Sequence, residues 1–292
     1  MNFLQLASII SDNESTLQFF QEQGILRRSL RCCNQNCSIV KSTKSDGKEF
    51  KCKDCKKTKT IRCDSFLEKS KLQLRVLLLA MYFFIHESPV RVTANMCKNL
   101  VSEKSILQWY VYLREIMSTY LLRTNYIFGT NGSIVQIDEC CLGRKLKAGR
   151  GQVRGMGHVW VFGLIDVQTK KIHLQIVDKR DRLTLIPIIQ NKCTPGDITH
   201  SNEAAVYSIL PTLGFDHHTI NHQETYVAPD GTHTNNIESV WACVETKMRS
   251  MRGTTKELVA LHLDEFMYRW NRKTEVDKFS SFLDNIAEVY TF

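Results

Sequence analysis

The spacing of apolar positions changes along the chain, and the changes divide it. Residues 1–25, beginning MNFLQLASIISDNESTLQFF, carry apolar side chains at intervals that suit a short amphipathic helix packed on a core. From 71 to 125 the pattern is helical. Leu72 to Ile85 makes one helix, stopped by ESP, and Thr93 to Asn99 makes a short second one. Ser102 can cap a third, with Ile106, Trp109 or Tyr110, Leu113 and Ile116 on one face. From Gly132 the texture turns β-rich. SIVQIDECCLG reads as a strand, and VWVFGLIDVQTKKIHLQIVD reads as two strands joined at QTKK in a hairpin. RLTLIPIIQNK is a helix, DITHS a short strand, and HTNNIESVWACVETKMRSM a helix with Ile237, Val240, Trp241 and Val244 on its apolar side. TKELVALHLDEFMYRWNRK is a last long helix. Three strands, a helix, a short strand and helices over 130–275 fit an α/β, ribonuclease-H-like core, followed by a C-terminal segment, 276–292.

Composition alters this picture in one region. The formal charge is +9, and residues 26–72 alone hold 14 Lys/Arg against 5 Asp/Glu. Such a block suits a polyanionic partner, most simply nucleic acid; the plain alternative is a solvated basic surface. A membrane is not expected. The longest apolar run, Val76 to Ile85, is too short to span a bilayer. The N-terminus has no basic segment of the kind that opens a signal peptide.

Six of the eleven cysteines, Cys32, Cys33, Cys37, Cys52, Cys55 and Cys63, fall inside the basic block. Without a secretory signal this argues for a metal site rather than a disulfide scaffold. RCCNQNC and CKDC are two cysteine knuckles separated by a polar segment, the layout of a zinc ribbon over 26–70. The ligand set chosen is Cys33, Cys37, Cys52 and Cys55. Cys32 can replace Cys33, and Cys63 can also serve. The short helix, turn and longer helix of 71–125 resemble a helix-turn-helix module.

Three positions in the α/β region stand out. Asp138 is expected to end the first core strand, Asn202 the later strand, and Glu238 lies on the helix after HTNN. Strand ends and a helix face can present carboxylates to two cations for phosphoryl transfer. Asn202 is a neutral amide, so Glu203, Asp197, Asp166 and Asp178 are the acids considered as substitutes. Between the first two strands, RKLKAGRGQVRG supplies Arg144, Lys145, Lys147, Arg150 and Arg154, which can grip DNA phosphates; the plain alternative is a surface hairpin. His217, His218, His222 and His233 cluster in sequence without ligand spacing. They read as core or loop residues, with His233 placed to orient the site.

These segments resemble Merlin-type DDE transposases and their bacterial insertion-sequence relatives. The resemblance rests on IDECCLGRK, WVFGLID, PGDITHSNEAAVY, NHQETYVAPDGTHTNNIESVW, YLREIM and KCKDCKKTKTIRCDSFLEKSKLQL, and covers roughly Arg31 to Trp270. It implies a transposase that cuts transposon ends and joins them to target DNA, using Mg2+ or Mn2+ in the catalytic domain and Zn2+ in the ribbon. Asp138 would be the first catalytic acid and Glu238 the third, both metal ligands. The second falls on Asn202, which implies weak or lost catalysis and, as the alternative, a domesticated DNA-binding protein. Double-stranded DNA, a homo-oligomer on that DNA and a nuclear location follow from the same resemblance.

Overall fold

The structure, a computed structural model, describes residues 1–43, 46–97, 100–143, 158–221, 224, 226–251 and 254–291. The chain divides into two compact units, one of residues 1–120 with 274–292 and one of residues 121–273.

In the first unit the N-terminal residues form two helices, α1 (Phe3–Ile9) and α2 (Asn13–Glu22), where the apolar spacing suggested one. Asp12 explains the break: its carboxylate accepts the Ser15 N–H at 2.8 Å and starts α2 afresh. Short strands come next. β1 (Arg31–Cys32) and β2 (Gln35–Asn36) form a tight hairpin. Its two turn residues, Cys33 and Asn34, stand at φ 50° and 61°, as a two-residue hairpin turn requires. β3 (Ser38–Lys41), β4 (Lys48–Lys51) and β5 (Thr58–Thr60) make an antiparallel sheet. Buried Arg62 pairs with Asp46 and donates to the carbonyls of Ser70 at 3.0 Å and Leu72 at 2.8 Å, which fastens the sheet to the segment leading into the helices.

Helix α3 (Leu74–Ile85) is apolar on nearly every side and correspondingly buried. α4 (Val90–Met96) is short, and α5 (Glu103–Arg123) begins where the Ser102 hydroxyl accepts the Ser105 N–H. For 276–292 the sequence pattern names no element. The structure makes it helix α9 (Lys278–Val289), with Phe279, Phe282, Leu283 and Ile286 buried in this first unit against Tyr82 and Phe84 of α3. No helix among the described residues is long and apolar enough to cross a membrane.

The second unit is built on one mixed five-stranded sheet. β6 (Ile134–Leu142), β7 (Val159–Asp166) and β8 (Ile172–Val177) form an antiparallel meander. Helix α6 (Arg182–Lys192) crosses over to β9 (Ile198–Asn202), which lies parallel to β6 on its other side. The strand β10 (Asp216–Ile220) adds parallel to β9, so the order is β10-β9-β6-β7-β8. Sequence reading missed β10, because DHHTI is polar and borrows its strand geometry from β9.

Alternation sorts the sheet's two faces. Val135, Ile137, Phe162 and Leu164 pack on α6 and the 3-10 turn Tyr207–Leu213. Leu142, Val159, Val161 and Ile165 pack on α7 (Asn235–Ser250) and α8 (Lys256–Asn271). Helix α8 also covers the edge of β8. The Leu174 N–H donates to Met267 Sδ, the Asn271 amide exchanges two bonds with the Ile172 backbone at 2.7 and 2.9 Å, and Trp270 Nε1 donates to the Lys170 carbonyl.

Candidate functional site

Asp138 sits within β6 rather than at its end. Pairing with β7 runs on to Leu142↔Val159, which carries the strand four residues further. On the other side β6 pairs with β9 only through Gln136↔His200, so Asp138 stands where that neighbour has left the ladder. Asn202 closes β9 and reaches into this opening: its Nδ2 donates to Asp138 Oδ1 at 3.4 Å. The orientation of the amide is fixed from behind, because Asn202 Oδ1 accepts the Ala204 N–H at 3.1 Å. Nitrogen faces Asp138 and oxygen faces the backbone.

The other oxygen of Asp138 belongs to α7. Trp241 Nε1 donates to Asp138 Oδ2 at 3.1 Å. Its ring lies over Gly163, the register partner of Asp138; a Cβ there would fall 2.6 Å from Trp241 Cζ2 and Cη2. Sequence reading took Trp241 as core only. It is buried, and its indole N–H adds the polar contact. Glu238 lies on α7 at i−3 from Trp241, exposed, with Thr234 Oγ1 donating to it at 3.2 Å. Burial pushes the Asp138 carboxyl up to about 6, and the charges of Glu139 and Glu238 add to that rise.

Buried Gln136, two residues before Asp138 on the same face, docks the start of α7. Its Oε1 accepts the N–H groups of Asn236 at 2.9 Å and Ile237 at 3.2 Å, in place of a side-chain cap from Thr234. Gln136 Nε2 therefore faces His233 Nδ1 at 3.1 Å, which makes that ring nitrogen the acceptor. His233 thus holds the residue that caps the helix bearing Glu238. His222 and the basic stretch with Arg144, Lys145, Lys147, Arg150 and Arg154 lie outside the described residues.

Two of the substitute acids are committed elsewhere. Asp166 accepts from Gly129, Ser133, Gln168 and Thr169, and its register partner is Val135 at the far end of β6. Asp197 accepts from Thr194 at 2.7 Å, at the start of β9. Glu203 and Asp178 are exposed. Two cations need about three carboxylates, and at position 202 the amide oxygen is already spent on Ala204.

The first unit holds a different cluster. The sulfurs of Cys32, Cys33, Cys52 and Cys55 all lie within 4.8 Å of one another. Cys32 Sγ is 3.7 Å from Cys33 Sγ and 3.6 Å from Cys55 Sγ. Bonds of about 2.3 Å to a tetrahedral zinc place sulfurs about 3.8 Å apart, so these spacings fit that ion. Cys32 joins this group where the sequence choice had Cys37, whose thiol borders the four closely enough to bond with Cys52 and Cys32. Backbone N–H groups of Cys55 and Asp54 draw the Cys52 thiol down to about 7, while the neighbouring thiols of Cys55 and Cys33 drive Cys32 up to about 12. Crowded thiols of this kind hold their protons until a cation replaces them.

Residues 130–271 match the model of the ISXO2-like transposase domain. An uncharacterized transposase-like protein of Haemophilus influenzae is 30% identical over 101 residues, 35% of this chain and 81% of that protein. The chain belongs to the DDE transposase family. Asp138, Asn202 and Glu238 all fall inside the matched span of this transposase-family chain, and the cysteine cluster falls before it. Among solved structures, the catalytic core domain of BIV integrase aligns at 11% identity and TM-score 0.29, over 46% of this chain and 82% of that one. A simian T-cell lymphotropic virus intasome in complex with PP2A regulatory subunit B56 gamma aligns at 10% and 0.28, over 70% of this chain and 66% of that one. Neither likeness is close enough to bear on the chemistry.

Proposed function

We propose that this chain is a Merlin-type member of the family that binds double-stranded DNA and has lost efficient two-metal strand transfer. The observation that carries the reading is the Asn202 amide, which donates N–H to Asp138 and spends its oxygen on Ala204. A cation bridging positions 138 and 202 would meet N–H instead of oxygen. Turning the amide over would set its N–H against the Ala204 N–H. Asp138 and Glu238 would hold one Mg2+ or Mn2+, which when bound supplies Lewis-acid polarisation of a phosphoryl oxygen.

DNA binding belongs to the first unit in this reading. The cysteine cluster would hold one structural Zn2+, and Lys51, Lys53, Lys57 and Lys59, all exposed beside it, would meet phosphates. Helices α4 and α5 would act as a helix-turn-helix, and two copies would assemble because a transposon has two ends. A nuclear location accompanies the eukaryotic branch of the family.

The second reading is a working transposase with an Asp-Asn-Glu site. The convergence of Asp138 and Asn202, with the Glu238 charge acting on Asp138, favours it. Mn2+ titration with nicking of a supercoiled plasmid separates the two. Wild type should bind one Mn2+ weakly and nick little, Asn202→Asp should gain in both, and adding Glu238→Gln should abolish the gain. Wild-type nicking equal to that of Asn202→Asp would establish the working enzyme instead.

A further inference from the structure

Asn202 and Asp138 are held together by more than their own contact. At 3.4 Å that hydrogen bond is at the weak end of the range. The β6–β9 ladder has already stopped at Gln136↔His200. Beyond Asn202 a short segment leads into the 3-10 turn, and it returns to β6 at one fully buried side chain: the Tyr207 hydroxyl donates to Glu139 Oε1. Glu139 is the residue after Asp138. Successive strand residues point to opposite faces, so the Glu139 carboxylate meets Tyr207 on the α6 side while Asp138 faces α7.

The segment between is itself braced. The Tyr207 N–H donates to the Ala204 carbonyl at 3.0 Å, and Asn202 Oδ1 takes the Ala204 N–H. Arg182 of α6 donates to the Ala205 carbonyl at 2.9 Å and to Ser208 Oγ at 2.8 Å. Behind Glu139, Arg180 adds a favourable positive charge and stacks on the Trp160 ring at 3.6 Å. A rigid bridge therefore runs from Glu139 through Tyr207 and Ala204 to Asn202.

We propose that the Tyr207–Glu139 hydrogen bond is a latch that sets position 202 against Asp138, which makes Tyr207 and Glu139 positioning residues of the carboxylate site. Glu139 acts as a hydrogen-bond acceptor in this role and not as a cation ligand, since it faces away from Asp138. The latch works on the polypeptide whether residue 202 is Asn or Asp. Its consequence for metal rests on the one-cation reading above; its consequence for the backbone does not.

The test uses the full chain with Tyr207→Phe, Glu139→Gln and Glu139→Leu. Hydrogen–deuterium exchange is followed at the Ala204 amide, which Asn202 protects. Tyr207→Phe keeps the buried ring and removes one hydroxyl. It should speed Ala204 exchange about tenfold, the size one lost hydrogen bond to a charged group gives, and leave the amides of α7 unchanged. Glu139→Gln still accepts the hydroxyl and should stay near wild type, while Glu139→Leu should match Tyr207→Phe. In the Asn202→Asp background, Tyr207→Phe should weaken Mn2+ binding by a similar factor. Unchanged Ala204 exchange in Tyr207→Phe, or Glu139→Gln as damaging as Glu139→Leu, would overturn the latch. If Asn202→Asp binds no Mn2+, the cation reading fails and the exchange result still decides the latch.

Discussion

The cysteine cluster and the carboxylate site both gather acidic groups, yet they balance the charge of those groups in opposite ways. At the cluster, Cys32, Cys33, Cys52 and Cys55 crowd one another, and each added thiolate makes the next harder to form. Backbone N–H groups favour charge only at Cys52. At the carboxylate site both oxygens of Asp138 already receive N–H groups, one from Asn202 and one from Trp241. The first arrangement gathers thiols that a cation would stabilise, and the second gives its buried acid two protein N–H donors. Donor geometry also separates them: among the described residues it is the cysteines that bring possible ligand atoms within 4.8 Å of one another.

The sharpest way to break this contrast is to remove metal. A zinc chelator, or Cys52→Ser with Cys55→Ser, should release one zinc per chain and unfold the cysteine module, at a cost of order 10 kcal/mol. The α/β unit should keep its circular dichroism and its exchange protection. Elemental analysis finding no zinc in the wild-type protein would end the comparison on that side.

Gly163→Ala sharpens the other side. Its Cβ would press on Trp241 and move the indole N–H away from Asp138. A loss of about 1–3 kcal/mol in urea unfolding is expected for such overpacking, together with a changed Trp241 emission. Unchanged stability would show that the ring yields without effect.

A pH series gives a smaller effect. Burial holds the folded Asp138 pKa near 6, above its unfolded value of 3.8. Without metal, this group's contribution to stability is greatest below pH 4 and is lost as pH rises through 6. A cation needs the carboxylate, so Mn2+ binding should weaken about tenfold between pH 7 and pH 5. Binding that is flat over that interval would place the metal elsewhere. The smallest change concerns DNA. Lys59→Glu should weaken binding modestly and lower its dependence on salt, because one or two phosphate contacts are lost; a salt slope equal to wild type would remove Lys59 from the interface.

Much of the α/β unit was legible because its signals are local. The QTKK hairpin, the run leading to Asp138 and the apolar spacing of α7 each declare themselves within a dozen or so residues. The parts that were not legible depend on partners far away in sequence. DHHTI becomes β10 only beside β9. Gln136 caps a helix that begins about a hundred residues later. Tyr207 ends one motif and Glu139 belongs to another, and nothing in either reports their hydrogen bond. Cys32 stands among the four closest sulfurs where the knuckle spacing favoured Cys37, and spacing does not reveal which neighbouring thiols meet. Helix α9 is a different case: Phe279, Phe282, Leu283 and Ile286 recur at a helical period, and the signal was simply short and terminal.

The side chains of α8 that cover β8 also decide how this sheet can meet other chains. An unprotected strand edge is a template for further pairing. Here Met267, Trp270 and Asn271 occupy the outward backbone groups of residues 174, 170 and 172, so a foreign strand finds those positions taken. Growth of the sheet is therefore hindered at those positions of β8. The other outer strand is β10, where Asp216 and His218 set a polar border.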